Sequence, residues 1–163
     1  MAIDIDQLRQ DIVRPVLKKL NLWSLSAENL ILGTAAQESA LGTYIRQLGS
    51  GPALGIYQME PGTYYDLWDN YLIRKSELLK MLTIVCKSCR SQERSEASRL
   101  MYDLAYATAM ARVHYFRVPE ILPQSDDIQG LAEYWKRYYN TPKGKGTVEE
   151  FIHNYKQYVS RET

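Results

Sequence analysis

Apolar residues recur three and four positions apart along most of the chain, which is the spacing of amphipathic helices. The pattern predicts helices over about residues 4–20, 24–41, 61–71, 76–85, 95–118, 127–139 and 147–159. Pro15 predicts a kink or a break in the first of them. The segment 95–118 has the strongest helical signal and is slim, because alanines recur along it, so we expect it to be the central helix.

Residues 43–58 interrupt this helical pattern. Gly49, Gly51, Pro52 and Gly55 fall within seven positions, a density typical of turns. Short extended pieces on either side of them predict a small β-like turn region. The prediction is therefore a mainly α fold of about seven helices around a long central helix, forming a single domain over residues 1–163.

Composition narrows the range of partners. The chain of 163 residues is 45 % apolar and 24 % charged, with a formal net charge of +1. A balance this close to neutral does not favour nucleic acid as a partner. Thirteen Tyr and three Trp stand against two Phe. Aromatic rings with a polar edge suit carbohydrate ligands, and they equally suit half-buried helix faces.

The N-terminal residues carry neither a basic segment nor an apolar segment of the secretory type, and no apolar run is long enough to span a bilayer. We therefore expect no membrane span and synthesis in a cytoplasm. If the protein acts elsewhere, it is expected to reach that place by a route other than secretion.

The sequence predicts neither a metal site nor a cofactor. Cys86 and Cys89 form one Cys-Lys-Ser-Cys pair, which is half a zinc site at most, and His114 and His153 lack ligand spacing. Two reduced thiols without a chemical role are the preferred interpretation. A folded Cys2His2 site is the alternative that stays open.

Glu38 is the first candidate for chemistry. It is expected near the C-terminal end of an apolar helix, where desolvation and the negative end of the helix dipole both raise the pKa of a carboxyl group. A carboxyl that stays protonated near neutral pH can act as a general acid on a glycosidic oxygen. An exposed glutamate in a last helical turn is the alternative interpretation.

A glycine-led turn follows Glu38 after about twenty residues. Gly55 permits a sharp bend, and Gln58 offers a donor and an acceptor that suit a sugar hydroxyl or N-acetyl group. Pro61 then opens the next helix.

Together these pieces resemble the lytic transglycosylase and goose-type lysozyme family. The family pattern is Glu-Ser at a helix end, then Gly-Leu-Met-Gln with Pro and Thr following, and later Tyr-Asn at another helix end. Glu38-Ser39, the segment 55–63 and Tyr139-Asn140 match these three pieces in order. Tyr134 is the rival for the family tyrosine, but Trp135 stands where the asparagine should be. Ile56-Tyr57 in place of Leu-Met, and Glu60 in place of an apolar or small residue, depart from the pattern.

The resemblance implies a lysozyme-like fold and cleavage of the β-1,4 bond between N-acetylmuramic acid and N-acetylglucosamine in peptidoglycan. Glu38 would be the single general acid/base, and Tyr139 would orient it. The implied substrate-binding residues are Ser39, Gly55, Tyr57, Gln58, Asn140 and Tyr134. No metal or cofactor is implied. The product, a 1,6-anhydro sugar or a hydrolysed end, is left open.

Four further charged residues have open roles. Glu60 or Asp66 would make an inverting hydrolase possible if its carboxyl lay about 6.5–9.5 Å from that of Glu38. Lys143 and Lys145, between glycines, could contact phosphate or an acidic glycan, although lysines in a turn are usually only solvated.

Three functions compete. The first is a bacteriophage peptidoglycan-cleaving enzyme, made in the host cytoplasm and acting at the bacterial cell wall, either as a virion-associated lysin beside other tail or baseplate proteins or as an endolysin. The second is a virion structural or interaction protein that keeps a lysozyme-like fold with little or no turnover. A helical nucleic-acid binder is the weakest, because no basic helix is present.

Overall fold

Helices make up most of the described chain, which comprises residues 2–85 and 94–160 of this computed structural model. The α-helices are α1 (Ile5–Gln7), α2 (Arg14–Lys19), α3 (Leu25–Ser39), α4 (Pro61–Asp66), α5 (Ser76–Val85), α6 (Leu104–Phe116), α7 (Ile128–Trp135) and α8 (Val148–Asn154). Stretches with π-helical bonding cover Leu8–Val13, Leu67–Tyr71, Lys136–Asn140 and Tyr155–Ser160, and 3-10 turns cover Leu72–Arg74 and Ala97–Met101. The predicted mainly α fold is confirmed.

Most predicted helix boundaries hold because they depend on local signals. The Ser24 hydroxyl accepts a hydrogen bond from the Ala27 N–H at the start of α3. Thr147 and Glu150 form the expected capping box at the start of α8. Pro15 does not interrupt the helical backbone, but the bonding pattern changes beside it, from π-helical over Leu8–Val13 to α-helical in α2.

The predicted continuous helix over residues 95–118 is wrong. A 3-10 turn over Ala97–Met101 ends before Asp103, and α6 begins only at Leu104. The Asp103 carboxylate accepts a hydrogen bond from the Tyr106 N–H and pairs with Arg99. An aspartate in this capping position starts a helix more readily than it continues one. The central helix is therefore about half the predicted length.

α6 and α3 nevertheless form the centre of the molecule. Residues 106–115 of α6 are all buried, as are residues 30–36 of α3. Gly33 of α3 allows α8 to approach closely, because a Cβ there would overlap the rings of Phe151 and Tyr155. α3 and α6 thus form a rigid support for the side chains at their ends.

The β-like excursion predicted over residues 43–58 is present as two antiparallel bridges. Leu54 pairs with Arg46 on one side and with Met59 on the other. This small folded loop connects the end of α3 to the start of α4.

Two further observations concern the remaining predictions. None of the helices in residues 2–85 and 94–160 is both long and apolar enough to cross a membrane. Cys86 and Cys89 lie outside the described residues, so the interpretation of this pair stays a prediction.

Candidate active site

A cavity of about 630 Å³ opens where the end of α3, the β-like excursion, the start of α4 and the segment after α7 meet. Glu38, Gln58 and Tyr139 all line it, together with Asn140. One residue from each of the three pieces of the sequence pattern therefore faces the same cavity. A cavity of this volume is in the usual range for small-ligand sites.

Glu38 lies in the last turn of α3, and its carboxyl group is largely withdrawn from water. Its Oε1 accepts a hydrogen bond of 2.9 Å from Nε1 of the fully buried Trp135. Burial raises the pKa of Glu38 to about 7, while the Trp135 hydrogen bond opposes this rise by stabilising the charged form. The predicted direction of the shift is confirmed, and the carboxyl is about half protonated at neutral pH.

The end of α3 is fixed by Ser39, which is fully buried and does not line the cavity. Its hydroxyl donates to the Ile56 carbonyl at 2.7 Å and accepts from the Gly42 N–H at 2.9 Å. Ser39 therefore fastens the glycine-led turn to the helix that carries Glu38. Its predicted role in sugar binding is wrong, because its hydroxyl is enclosed and already bonded.

The turn over residues 55–58 is held by its own backbone. Gly55 has φ +75°, and a Cβ at this position would overlap the carbonyl oxygen of Leu100. Gln58 also has positive φ, and its side-chain amide donates to the Gly55 carbonyl at 2.7 Å. Gln58 reaches the cavity, whereas Gly55 does not line it and acts by allowing close packing.

Tyr57 points away from the cavity, contrary to the prediction. Its ring is buried, and its hydroxyl hydrogen-bonds Thr108 of α6 at 2.8 Å. The two residues that replace the family's Leu-Met, Ile56 and Tyr57, occupy core positions. Apolar residues at these positions of the family pattern were a signal for burial rather than for sugar contact.

Of the two rival tyrosines, Tyr139 lines the cavity and Tyr134 does not. Tyr134 is buried, and its hydroxyl donates to the Glu120 carbonyl at 3.0 Å, so its predicted role in substrate binding is wrong. Tyr139 donates its hydroxyl proton to the Tyr57 carbonyl at 2.8 Å rather than to Glu38. Tyr139 therefore holds the turn, and the hydrogen bond that orients the Glu38 carboxyl comes from Trp135 instead.

No family model, curated protein or solved structure matches this chain. The evidence for function therefore lies in the geometry of the cavity and in the sequence pattern.

The cavity also contains charged residues whose position the sequence left open. Glu60 lies just before α4, is exposed and lines the cavity, where its carboxylate makes no capping hydrogen bond to the helix. Asp66 pairs with Arg117 instead of lining the cavity. Glu60 is thus the second carboxylate that shares the cavity with Glu38.

Lys143 and Lys145 also line the cavity, on a loop that is anchored at its base. The Lys136 ammonium donates to the Asn140 side chain at 2.7 Å and to the Gly144 carbonyl at 2.8 Å. Asn140 therefore lines the cavity while its side chain also accepts a hydrogen bond that holds the loop. The side chains of Lys143 and Lys145 are exposed and can reach a ligand.

Sequence reasoning missed three residues of the site. Trp135 counted there as a departure from the family pattern, yet it is the hydrogen-bond partner of Glu38 across 97 positions. Tyr44 donates its hydroxyl proton to the backbone carbonyl of Glu38 at 2.9 Å and lines the cavity. His114 reaches the cavity from α6. Only a folded chain brings these three together, and no local pattern marks them.

Proposed function

We propose that this protein is an enzyme that cleaves the β-1,4 bond between N-acetylmuramic acid and N-acetylglucosamine in peptidoglycan, with Glu38 as its acid and base. The observation that carries the proposal is a carboxyl group with a pKa of about 7 on the wall of a cavity rich in amides and hydroxyls. A general acid is most effective when its pKa lies near the working pH. The resemblance of residues 38–63 to lytic transglycosylases supports the choice of substrate.

In the proposed reaction, protonated Glu38 gives its proton to the glycosidic oxygen as the bond to the muramic C1 breaks. The resulting carboxylate then takes the proton of the muramic 6-hydroxyl, whose oxygen bonds to C1 and closes a 1,6-anhydro ring. Glu38 is protonated again at the end, so one carboxyl group serves both steps. Trp135 assists the first step, because its N–H stabilises the carboxylate that proton donation creates.

Hydrolysis is the second candidate, and Glu60 is the observation that favours it. A carboxylate on the same cavity could activate a water molecule for attack on C1 from the opposite face of the sugar. An enzyme of this type would release a reducing end instead of an anhydro sugar.

Digestion of purified peptidoglycan, with products identified by mass, tests the proposal. We expect soluble muropeptides from the wild type and a loss of about 10²–10⁴-fold for Glu38→Gln, which cannot donate the proton. Glu133→Gln, a matched change on the exposed face of α7, should retain full activity. Anhydro products that survive Glu60→Gln indicate transglycosylation, and reducing ends that disappear with it indicate hydrolysis.

Two results would contradict the proposal. One is equal activity of Glu38→Gln and the wild type. The other is a well-folded wild type that releases nothing from walls of several peptidoglycan types, which would favour a virion structural or interaction protein with a similar site. In a phage setting the enzyme would act at the bacterial cell wall, as a virion component or as an endolysin.

A further inference from the structure

A second cavity, of about 480 Å³, is formed by the connector between α2 and α3, the start of α5 and Phe116 at the end of α6, and we call it the α5 groove. His114 of α6 lines the Glu38 cavity, whereas Phe116 lines the α5 groove. Residues two apart on a helix do not share a face, so the two cavities use different sides of α6. No residue of the described chain lines both of them.

The α5 groove offers apolar surface from three elements of the fold. Leu22 of the connector, Leu78 and Met81 of α5, and Phe116 of α6 all line it. Phe116 is 43 % exposed, although its ring is large and entirely apolar. A concave apolar surface that stays open to solvent is typical of a binding site.

The charged side chains that line the α5 groove are mainly cationic. Arg74 and Lys75 are exposed there and form no ion pair with any described residue. Glu77 also lines the groove, but its carboxylate accepts a hydrogen bond from the Lys80 ammonium at 2.7 Å. The groove also includes the start of α5, where the helix dipole contributes partial positive charge. The groove therefore presents net positive charge beside its apolar surface.

Arg112 places a third cation behind the wall of the groove. It is only 7 % exposed, its Nε donates to the Leu22 carbonyl at 3.1 Å, and its guanidinium carbon lies 5.4 Å from the centroid of the Phe116 ring. Leu22 and Phe116 both line the groove, so the guanidinium lies directly behind them. No carboxylate in the described chain pairs with Arg112. Arginine is seldom buried this far without such a partner, because an unpaired charge is costly to remove from water.

An acidic ligand in the groove would supply a counter-charge to all three cations. Arg112 need not touch this ligand, because Coulomb attraction through protein is stronger than through water and acts over several ångströms. The cations belong to two parts of the wall: Arg74 and Lys75 precede α5, and Arg112 lies behind Leu22. Such an arrangement suits a chain that carries several carboxylates better than it suits one small acid.

We infer that the α5 groove docks an acidic segment of another protein, in which apolar side chains alternate with carboxylates. The apolar side chains pack on Leu78, Met81 and Phe116, and the carboxylates face Arg74 and Lys75. Charge complementarity selects this occupant, since a basic or uncharged apolar segment leaves the cations uncompensated. The inference is independent of the proposed reaction, because it uses none of the residues that line the Glu38 cavity.

Methionine methyl NMR tests the docking without any substitution. Met81 lines the α5 groove and Met59 lines the Glu38 cavity, so one ¹³C-methyl spectrum reports on both. The probe is a dodecapeptide of alternating leucine and glutamate pairs, and two control peptides replace every glutamate by lysine or every leucine by serine. We expect the acidic, apolar peptide alone to shift the Met81 resonance at concentrations up to about 1 mM, and the Met59 resonance to stay in place.

Charge reversal at the rim of the groove tests the role of the cations. Arg74→Glu and Lys75→Glu should each weaken peptide binding about fivefold to tenfold, because attraction to a carboxylate becomes repulsion. Lys156→Glu is the matched control, since Lys156 is exposed and does not line the groove, and it should leave the affinity unchanged. The affinity should also fall as salt rises from about 50 to about 500 mM, because exposed charges are screened.

Several results would overturn the inference. One is a Met81 resonance that no peptide shifts, and another is unchanged affinity in both reversed variants. Equal binding of either control peptide would show that charge alone or apolar contact alone is sufficient. A shift of Met81 with hexanoate as large as with the peptide would make the groove a small-acid site, and a shift on concentrating the protein alone would make a second copy its occupant.

The two proposals fail separately. Arg74→Glu and Lys75→Glu should cleave peptidoglycan as the wild type does, because neither residue lines the Glu38 cavity. If the wild type cleaves nothing while the acidic peptide still shifts Met81, the enzymatic proposal is wrong and the docking groove stands. If cleavage is present and no peptide shifts Met81, the groove is wrong and the proposed reaction stands.

Discussion

Replacing Glu38 by Gln should stabilise the protein, and only at pH values where Glu38 is ionised. Burial raises the pKa of Glu38 from 4.5 to about 7. Between these values the folded chain keeps a proton at Glu38 that the unfolded chain has released. The free energy of unfolding therefore falls as pH rises from about 4.5 to about 7, which is the sign expected when the native state binds more protons.

The size of the effect follows from the same two values. Each pKa unit corresponds to about 1.4 kcal/mol, so the ionised carboxylate should destabilise the fold by about 3 kcal/mol above pH 7. Glutamine has nearly the same shape and no charge, and its carbonyl oxygen can still accept the Trp135 hydrogen bond. For a chain of 163 residues, Glu38→Gln should raise the melting temperature at pH 8 by roughly 6–12 °C.

Calorimetric melting of both chains at pH 4 and pH 8 measures this difference. At pH 4 the wild-type carboxyl is protonated, and the two melting temperatures should agree within about 2 °C, because neither side chain carries a charge there. Glu60→Gln is the control, since it removes an exposed carboxylate from the same cavity and should change little at either pH. An equal gain at both pH values, or no gain at pH 8, would refute the claim that Glu38 is desolvated.

Three other substitutions follow from the site. Trp135→Phe removes the donor that stabilises ionised Glu38, so the pKa of Glu38 should rise. The alkaline limb of the pH profile of cleavage should therefore move up by about one pH unit. A downward move would contradict the assignment of Glu38 as the acid. Gly55→Ala should lower the free energy of unfolding in urea by about 3 kcal/mol or more, because Gly55 has a positive φ and a Cβ there would overlap a backbone carbonyl. Gly62→Ala is the control: a Cβ at that position meets nothing within 4 Å, so the free energy of unfolding should change by less than about 0.5 kcal/mol. Tyr57→Phe should lose about 1 kcal/mol of stability and no activity per folded molecule, and a selective loss of activity would restore it as a substrate contact.

Local signals account for what the sequence predicted well. The capping residue Ser24 and the capping box at Thr147 depend on groups within three positions, so their interpretation needs no knowledge of the fold. The break before α6 depends equally on a local group, Asp103, but helical periodicity continues across it. The spacing of apolar residues indicates which helix face is buried, but it does not indicate whether the helical backbone hydrogen bonds are continuous.

Long-range contacts account for what could not be predicted. Glu38 could be singled out because burial and helix position both act through its own helix, but its partner Trp135 lies 97 positions away. Nothing in the local pattern around Trp135 distinguishes it from an ordinary core tryptophan. Tyr57 illustrates the opposite error, since the family resemblance implied a ligand contact for a side chain that lies in the core.

The residues that carry the family pattern mostly build the wall around Glu38 and leave little free to touch a sugar. Ser39 and Tyr139 fasten the turn through the carbonyls of Ile56 and Tyr57, and Gln58 closes it through that of Gly55. A pattern of this kind predicts where an acid stands and how rigidly it is held. Selectivity for the rest of the glycan must then come from side chains outside the pattern. In the described part of the chain, those without hydrogen-bond partners in the cavity include His114, Lys143 and Lys145. Substitutions at these positions should therefore change which walls are cleaved more than how fast the bond breaks.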